Sequence, residues 1–83
     1  MKNTKANKAD LQTRAIVVFS GRDDFILMFD DIASMEQRLN KYKAMPSYMH
    51  HKFEYRDGRY GNWRQIDGVD MRKLLNFKNA GAL

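Results

Sequence analysis

The sequence predicts a small α+β domain with two antiparallel hairpins, each followed by a helix. Two apolar runs, the first rich in β-branched residues, flank a turn signal in the first third of the chain. A later alternating segment is interrupted by Asp57-Gly58, a typical hairpin turn. An amphipathic stretch of helical period follows each pair of runs. The predicted order is therefore β-β-α-β-β-α.

Length and composition suit a single globular unit. The chain has 83 residues, of which 43% are hydrophobic and 30% charged. It has no cysteine, which excludes disulfides and thiolate metal sites and fits a reducing compartment. No apolar run approaches the roughly 20 residues of a membrane span, and residues 1–10 lack the apolar core of a secretion signal. We therefore expect a cytoplasmic protein with no membrane contact.

The positive charge is distributed unevenly along the chain. The formal net charge is +5, yet residues 10–31 hold more acidic than basic side chains. Residues 1–9 carry lysines without acids, and residues 32–83 carry an excess of Lys and Arg. This pattern favours a local basic patch over a protein that is cationic everywhere. We expect residues 1–11 to form a flexible basic arm, residues 12–79 the domain, and residues 80–83 a frayed end.

The first hairpin is apolar on both faces. Residues 13–20 and 25–29 are the expected strands, with a turn at residues 21–24. Because both faces are apolar, both need cover. Two helices on opposite faces would provide it, and so would two helices on one face with a second copy on the other. The sequence slightly favours the second arrangement, a homodimer through the residue 15–29 hairpin.

Capping residues and apolar stripes locate the helices. Asp30 and Asp31 are expected to cap a first helix that runs to about Lys43. A second helix is expected to start at Asp67 or Asp70 and to continue to about Phe77. We interpret both apolar stripes as core.

The register of the second hairpin decides which of its side chains share a face. A tight two-residue turn would leave Trp63 in water. A three-residue loop with Gly58 in the left-handed conformation pairs Tyr55 with Arg59 and His51 with Trp63. We expect this second register, because burying an aromatic ring removes roughly 150–250 Å² from water. The side chains then expected on the core face are Met49, His51, Phe53, Tyr55 and Trp63.

No arrangement of residues indicates catalysis or a bound cofactor. The pairs Asp23-Asp24 and Asp30-Asp31 stand at opposite ends of one strand, roughly 20 Å apart at the usual rise per residue. Neighbouring strand residues point to opposite faces, so His50 and His51 cannot chelate one ion. No nucleophile frame or phosphate loop is present. We expect a protein that is not an enzyme, with no metal, no cofactor and no small-molecule substrate.

The remaining functional signal is a basic and aromatic surface on the second hairpin and second helix. Arginine and lysine seek phosphates, and an aromatic ring stacks on bases. We therefore expect a small binding protein that contacts nucleic acid. The alternative is an inhibitor or adaptor that docks on a protein complex, such as a mobile-element or viral protein that blocks a host complex, because Arg and Tyr also dominate protein interfaces. The expected contact residues are His50, Lys52, Arg56, Arg59, Tyr60, Asn62, Arg64, Arg72 and Lys73.

Overall fold

The computed structural model describes residues 11–59 and 61–80, and its elements follow the predicted α+β order. The predicted contact residue Tyr60, most of the predicted arm and residues 81–83 lie outside the described residues. No helix in the described part is long and apolar enough to cross a membrane. The elements are β1 (Leu11–Phe19), β2 (Phe25–Phe29), α1 (Ile32–Lys43), β3 (Tyr48–Asp57), β4 (Arg64–Ile66) and α2 (Gly68–Ala80).

The four strands form one antiparallel sheet in the order β2-β1-β3-β4. The β-branched strand β1 lies inside the sheet and pairs along most of its length with β3. At its middle, Ala15 stands opposite Leu27 of β2 and Phe53 of β3. Ala15 and Leu27 are fully buried, so the centre of the sheet is also the centre of the core.

Both helices pack on the same face of the sheet. The apolar stripe of α1 contributes Met35 and Leu39, and that of α2 contributes Met71 and Leu75. The other face has no helix from the described residues over it, so the second of the two expected arrangements describes the helices. The buried core consists of Ala15, Val17, Phe19, Leu27, Phe29, Met35, Leu39, Phe53, Met71 and Leu75.

Aspartate side chains fix where both helices begin. The carboxylate of Asp31 accepts a hydrogen bond from the backbone N–H of Ser34 at 2.7 Å. The carboxylate of Asp67 does the same for the N–H of Asp70 at 2.8 Å. The second helix therefore starts after Asp67, the earlier of its two expected start positions.

The expected register of the second hairpin is wrong, and with it the position of Trp63. Tyr55 pairs with Arg64 instead of Arg59, five residues further along the chain. Because side chains alternate between faces, a shift by an odd number of residues moves every side chain of the returning strand to the other face. The shift places Ile66 opposite Phe53, against the core. Trp63 lies instead on the face opposite the helices, where it contacts arginines.

Met49 also departs from the expected core position. The register between β1 and β3 shifts near Val18, so that His50 pairs with Val18 and Tyr48 with Phe19. Met49 is thus an extra residue in β3, as in a β-bulge, and its side chain is exposed. Beyond the bulge, alternation holds as expected. His51 and Tyr55 lie on the helix side, and His50 lies on the opposite side.

Candidate nucleic-acid interface

We call the sheet face opposite both helices the open face. The expected contact residues of the second hairpin were predicted to lie on this face. Strand alternation assigns its side chains: each is next in sequence to a residue on the helix side and points the other way. One half, near β2, is apolar, and the other half, towards β4, is cationic. Its members are Gln12, Arg14, Ile16, Val18, Ile26, Met28, His50, Lys52, Glu54, Arg56 and Gln65, with Trp63 beside them.

The indole of Trp63 joins two arginines on the cationic half. The guanidinium carbon of Arg14 lies 3.8 Å from the ring centroid, and that of Arg56 lies 4.5 Å from it. Both distances are within the range of cation–π attraction. The indole therefore holds two positive groups from neighbouring strands close together without neutralising either.

Hydrogen bonds to neighbouring strands orient these arginines. Nε of Arg14 donates to Oε1 of Glu54 at 2.8 Å, and Nη2 lies 2.7 Å from the same oxygen. Nε of Arg56 donates to the amide oxygen of Gln12 at 2.7 Å. Arg56 forms no ion pair with another described residue, so its charge stays uncompensated whereas that of Arg14 is balanced by Glu54.

Three of the expected contact residues lie together on this half of the open face. His50, Lys52 and Arg56 lie on the same side of β3, with Glu54 between Lys52 and Arg56. His50 and Lys52 are exposed, and Arg56 is half-buried beneath the contact with Trp63. Arg59 is exposed in the loop after β3. These four residues therefore follow the length of β3, from His50 near its start to Arg59 in the loop beyond its end.

Two further expected residues are nearby but on the other side of the sheet edge. Arg64 pairs with Tyr55 and therefore points to the helix side, contrary to the expected placement. Asn62 and Arg64 help to line a recess of about 290 Å³ beside the loop, together with Tyr55 and Gly61. Arg56 also lines this recess, which therefore borders the open face.

Arg72 and Lys73 are separate from this surface. Both lie on α2, which packs on the opposite side of the sheet. Arg72 is bound to Glu36 of α1 at 2.6 Å. The expected extension of the basic surface onto α2 is therefore wrong in its geometry, because the sheet separates the two sets of side chains.

Arg14 and Trp63 are the members of this cluster that sequence reasoning missed. Arg14 stands in an otherwise β-branched and apolar run, between Thr13 and Ala15, which are both buried. A lone cation in such a strand has to point away from the core, and this signal was available. The position of Trp63 could not be predicted, because it depends on the hairpin register.

His51 belongs to the helix side, away from the cationic half. Its Nδ1 lies 2.7 Å from the hydroxyl of Tyr48, which donates to it when the ring proton is on Nε2. Burial lowers the pKa of His51 below its ordinary value, and the nearby charges of Lys43 and His50 lower it further. A neutral, packed imidazole is the result.

Neither metal geometry nor a known relative points to a different chemistry. Among residues 11–59 and 61–80, no group of three or more His, Cys, Asp or Glu side chains could hold a metal ion. No family model, curated protein or solved structure matches this chain. Function has to be argued from the surface itself.

Proposed function

We propose that this protein is a non-enzymatic binding protein that contacts nucleic acid through the cationic half of its open face. The observation that carries the proposal is the contact of the Trp63 indole with the guanidinium groups of Arg14 and Arg56. Lys52 and His50 extend the same face along β3. A sheet surface that carries cations beside an aromatic ring suits a nucleic acid, whose phosphates attract the cations.

The charge balance sets the size of the expected effect. With Arg14 balanced by Glu54, the uncompensated cations among the expected contact residues along β3 and its loop are Lys52, Arg56 and Arg59. Three phosphate contacts predict a loss of affinity of roughly 20–40-fold between 50 and 200 mM salt. A much steeper dependence would mean that residues 1–9, with their three lysines, also contact phosphates.

Charge reversal on one side of the sheet tests the proposal. We expect Lys52→Glu to weaken binding of a labelled oligonucleotide by about tenfold or more, because it replaces an attraction for phosphate by a repulsion. Lys73→Glu is the matched control, since it makes the same charge change on exposed α2, across the sheet. Fluorescence anisotropy with single-stranded and duplex oligonucleotides measures both. Absence of binding at 50 mM salt, or equal losses in the two variants, would contradict the proposal.

A second candidate function is docking on another protein, as an inhibitor or adaptor. The observation that favours it is the apolar half of the open face, where Ile26 is 51% and Met28 45% exposed. Exposed apolar surface on a small domain marks protein contacts. A pull-down from the native cell with and without nuclease separates the two candidates, because only a direct protein partner survives nuclease.

The proposal also includes the expected homodimer and a cytoplasmic location. The apolar half of the open face belongs to the residue 15–29 hairpin and is the surface on which a second copy would pack. Fluorescence microscopy of the tagged protein in its native cell tests the location. The dimer is tested by the concentration dependence of molecular mass.

A further inference from the structure

We propose that the free edge of β2 binds an extended segment of another protein, with alternating apolar residues at its centre and two basic residues at each end. The segment would join the sheet as a fifth strand. This inference is independent of the nucleic-acid interface, and it gives the second candidate function a partner of defined chemistry.

The edge strand β2 lacks the usual protection against pairing. Among the strands of the described residues it is the outermost one, next to β1, and its sequence Phe25-Ile-Leu-Met-Phe29 has no charge, proline or glycine. Its pairing with β1 is regular, with no bulge to twist the edge away. Natural edge strands are usually protected by such features, and edges without them bind other strands.

One contact identifies which backbone groups face outward. Nη1 of Arg38 donates to the backbone carbonyl of Met28 at 2.6 Å, so this carbonyl points away from β1. In an antiparallel ladder, the N–H and C=O of one residue point to the same side, and alternate residues share that side. Ile26 and Met28 therefore offer their backbone groups to a partner, while Leu27 bonds to β1. Arg38 is exposed and occupies only one of these acceptors.

The charges around β2 oppose a second copy at this edge. Asp23 and Asp24 precede the strand, Asp30 and Asp31 follow it, and the two pairs are equally distant from Leu27. Antiparallel pairing of two β2 strands about Leu27 would set Asp24 opposite Asp30 of the second copy, and Asp23 opposite Asp31. Like charges directly opposite each other destabilise a strand pair.

The same symmetry defines the partner that fits. A segment with lysine or arginine pairs separated by five residues would place a cation opposite each of the four aspartates, of which Asp31 already caps α1. The residues opposite Ile26 and Met28 would share their face of the sheet, where apolar side chains cover exposed surface. Asp30 is already bound by Lys78 at 2.7 Å, so the stronger attraction comes from the Asp23–Asp24 end.

A synthetic peptide tests this directly. The probe carries two lysines, five alternating threonines and valines that begin and end with threonine, and two more lysines. We expect saturable binding by fluorescence anisotropy, and protection of the Ile26 amide from hydrogen exchange. The control peptide is N-methylated at both valines, which removes two edge hydrogen-bond donors and keeps the charge. In a second control peptide, the four lysines of the probe are replaced by glutamates.

Variants of the protein separate the contributions. Arg38→Ala should tighten binding because it frees the Met28 carbonyl, whereas Lys41→Ala, an exposed change on the same helix, should not. The double substitution Asp23→Lys and Asp24→Lys should lower the affinity for the lysine peptide by about tenfold and raise the affinity for the glutamate peptide. Met28→Lys should abolish binding, as a gatekeeper charge does at natural edges.

Two results would overturn the proposal. One is equal binding of the N-methylated peptide, which would show charge attraction without strand addition. The other is protection of the Ile26 amide in the protein alone at high concentration together with loss of peptide binding, which would show that a second copy occupies the edge. Loss of nucleic-acid binding in Lys52→Glu would leave this proposal unaffected, because Lys52 is on β3.

Discussion

His51 shows how a single side chain takes its properties from its place in the sheet. Its ring packs edge-on against Phe53, with centroids 5.1 Å apart, and bonds to the hydroxyl of Tyr48. His50, its neighbour in sequence, is exposed on the other side. Two adjacent histidines thus have different environments, and only the inner one is tied to folding.

The lowered pKa of His51 predicts that the protein loses stability in mild acid. Below the ordinary pKa of histidine, near 6.5, the unfolded chain takes up a proton that the folded ring resists. The contribution of neutral His51 to the free energy of unfolding is therefore complete above about pH 6.5, and it is lost as pH falls towards the folded-state pKa. We expect the free energy of unfolding in urea to fall between pH 7.5 and 5.5, and to fall less in His51→Gln.

His50→Gln is the matched control for that measurement, since it removes an exposed imidazole from the opposite face. It should reduce the pH dependence less than His51→Gln does, because burial contributes most to the lowered pKa of His51 and the charge of His50 contributes least. An equal effect of both substitutions would mean that general charge repulsion, and not the buried ring, causes the loss.

At the scale of elements, the β3–β4 hairpin is held by a close backbone approach in its loop. A Cβ added to Gly61 would lie 2.7 Å from the backbone carbonyl oxygen of Asp57, closer than such atoms approach. Gly58 has a φ of +77°, in the left-handed region expected for it. These two glycines set the loop that brings Trp63 to the open face.

Gly61→Ala should therefore displace the loop and destabilise the protein by about 1–3 kcal/mol. The emission of Trp63, the single tryptophan, should shift as its contact with the arginines is lost. Gly68→Ala is the control, and it should change the stability of the protein in the opposite direction. Its Cβ would meet only the Phe53 ring at an ordinary 3.5 Å, and alanine favours the first turn of α2. Urea denaturation and fluorescence check both.

Much of the element order was predictable because local signals agreed with the fold. Asp31 and Asp67 cap helices whose apolar stripes are core, and the β-branched run of β1 is the inner strand. The hairpin register was not predictable, because two apolar side chains competed for the core face. Ile66 lies against Phe53, and Trp63 is attracted to arginines that come from other parts of the chain. Such a contact leaves no local pattern.

In the described part of the whole molecule, both helices cover one face of the sheet, and the other face carries exposed side chains. The apolar half of the open face contains Ile26 and Met28, which are about half exposed, beside Ile16, which is only 9% exposed. Ile16 lies between its two register partners, Ile26 on β2 and Lys52 on β3. This half is a candidate contact between two copies packed face to face.

We expect the molecular mass from light scattering to rise towards that of a dimer as concentration increases. Met28→Lys should keep the protein monomeric, because it buries a charge in the contact. Val69→Lys adds the same charge at an exposed apolar position on α2 and should not change the mass. A wild-type protein that stays monomeric at high concentration would show that the open face does not pair with itself.

The inner position of β1 also has a consequence for synthesis. Its two neighbours differ in distance along the chain: β2 follows within a few residues, but Leu11 pairs with Asp57. A newly made chain in which only β1 and β2 have paired exposes the other edge of β1. The sheet is complete only when the second half of the chain has folded onto β1, and an open strand edge favours aggregation until then.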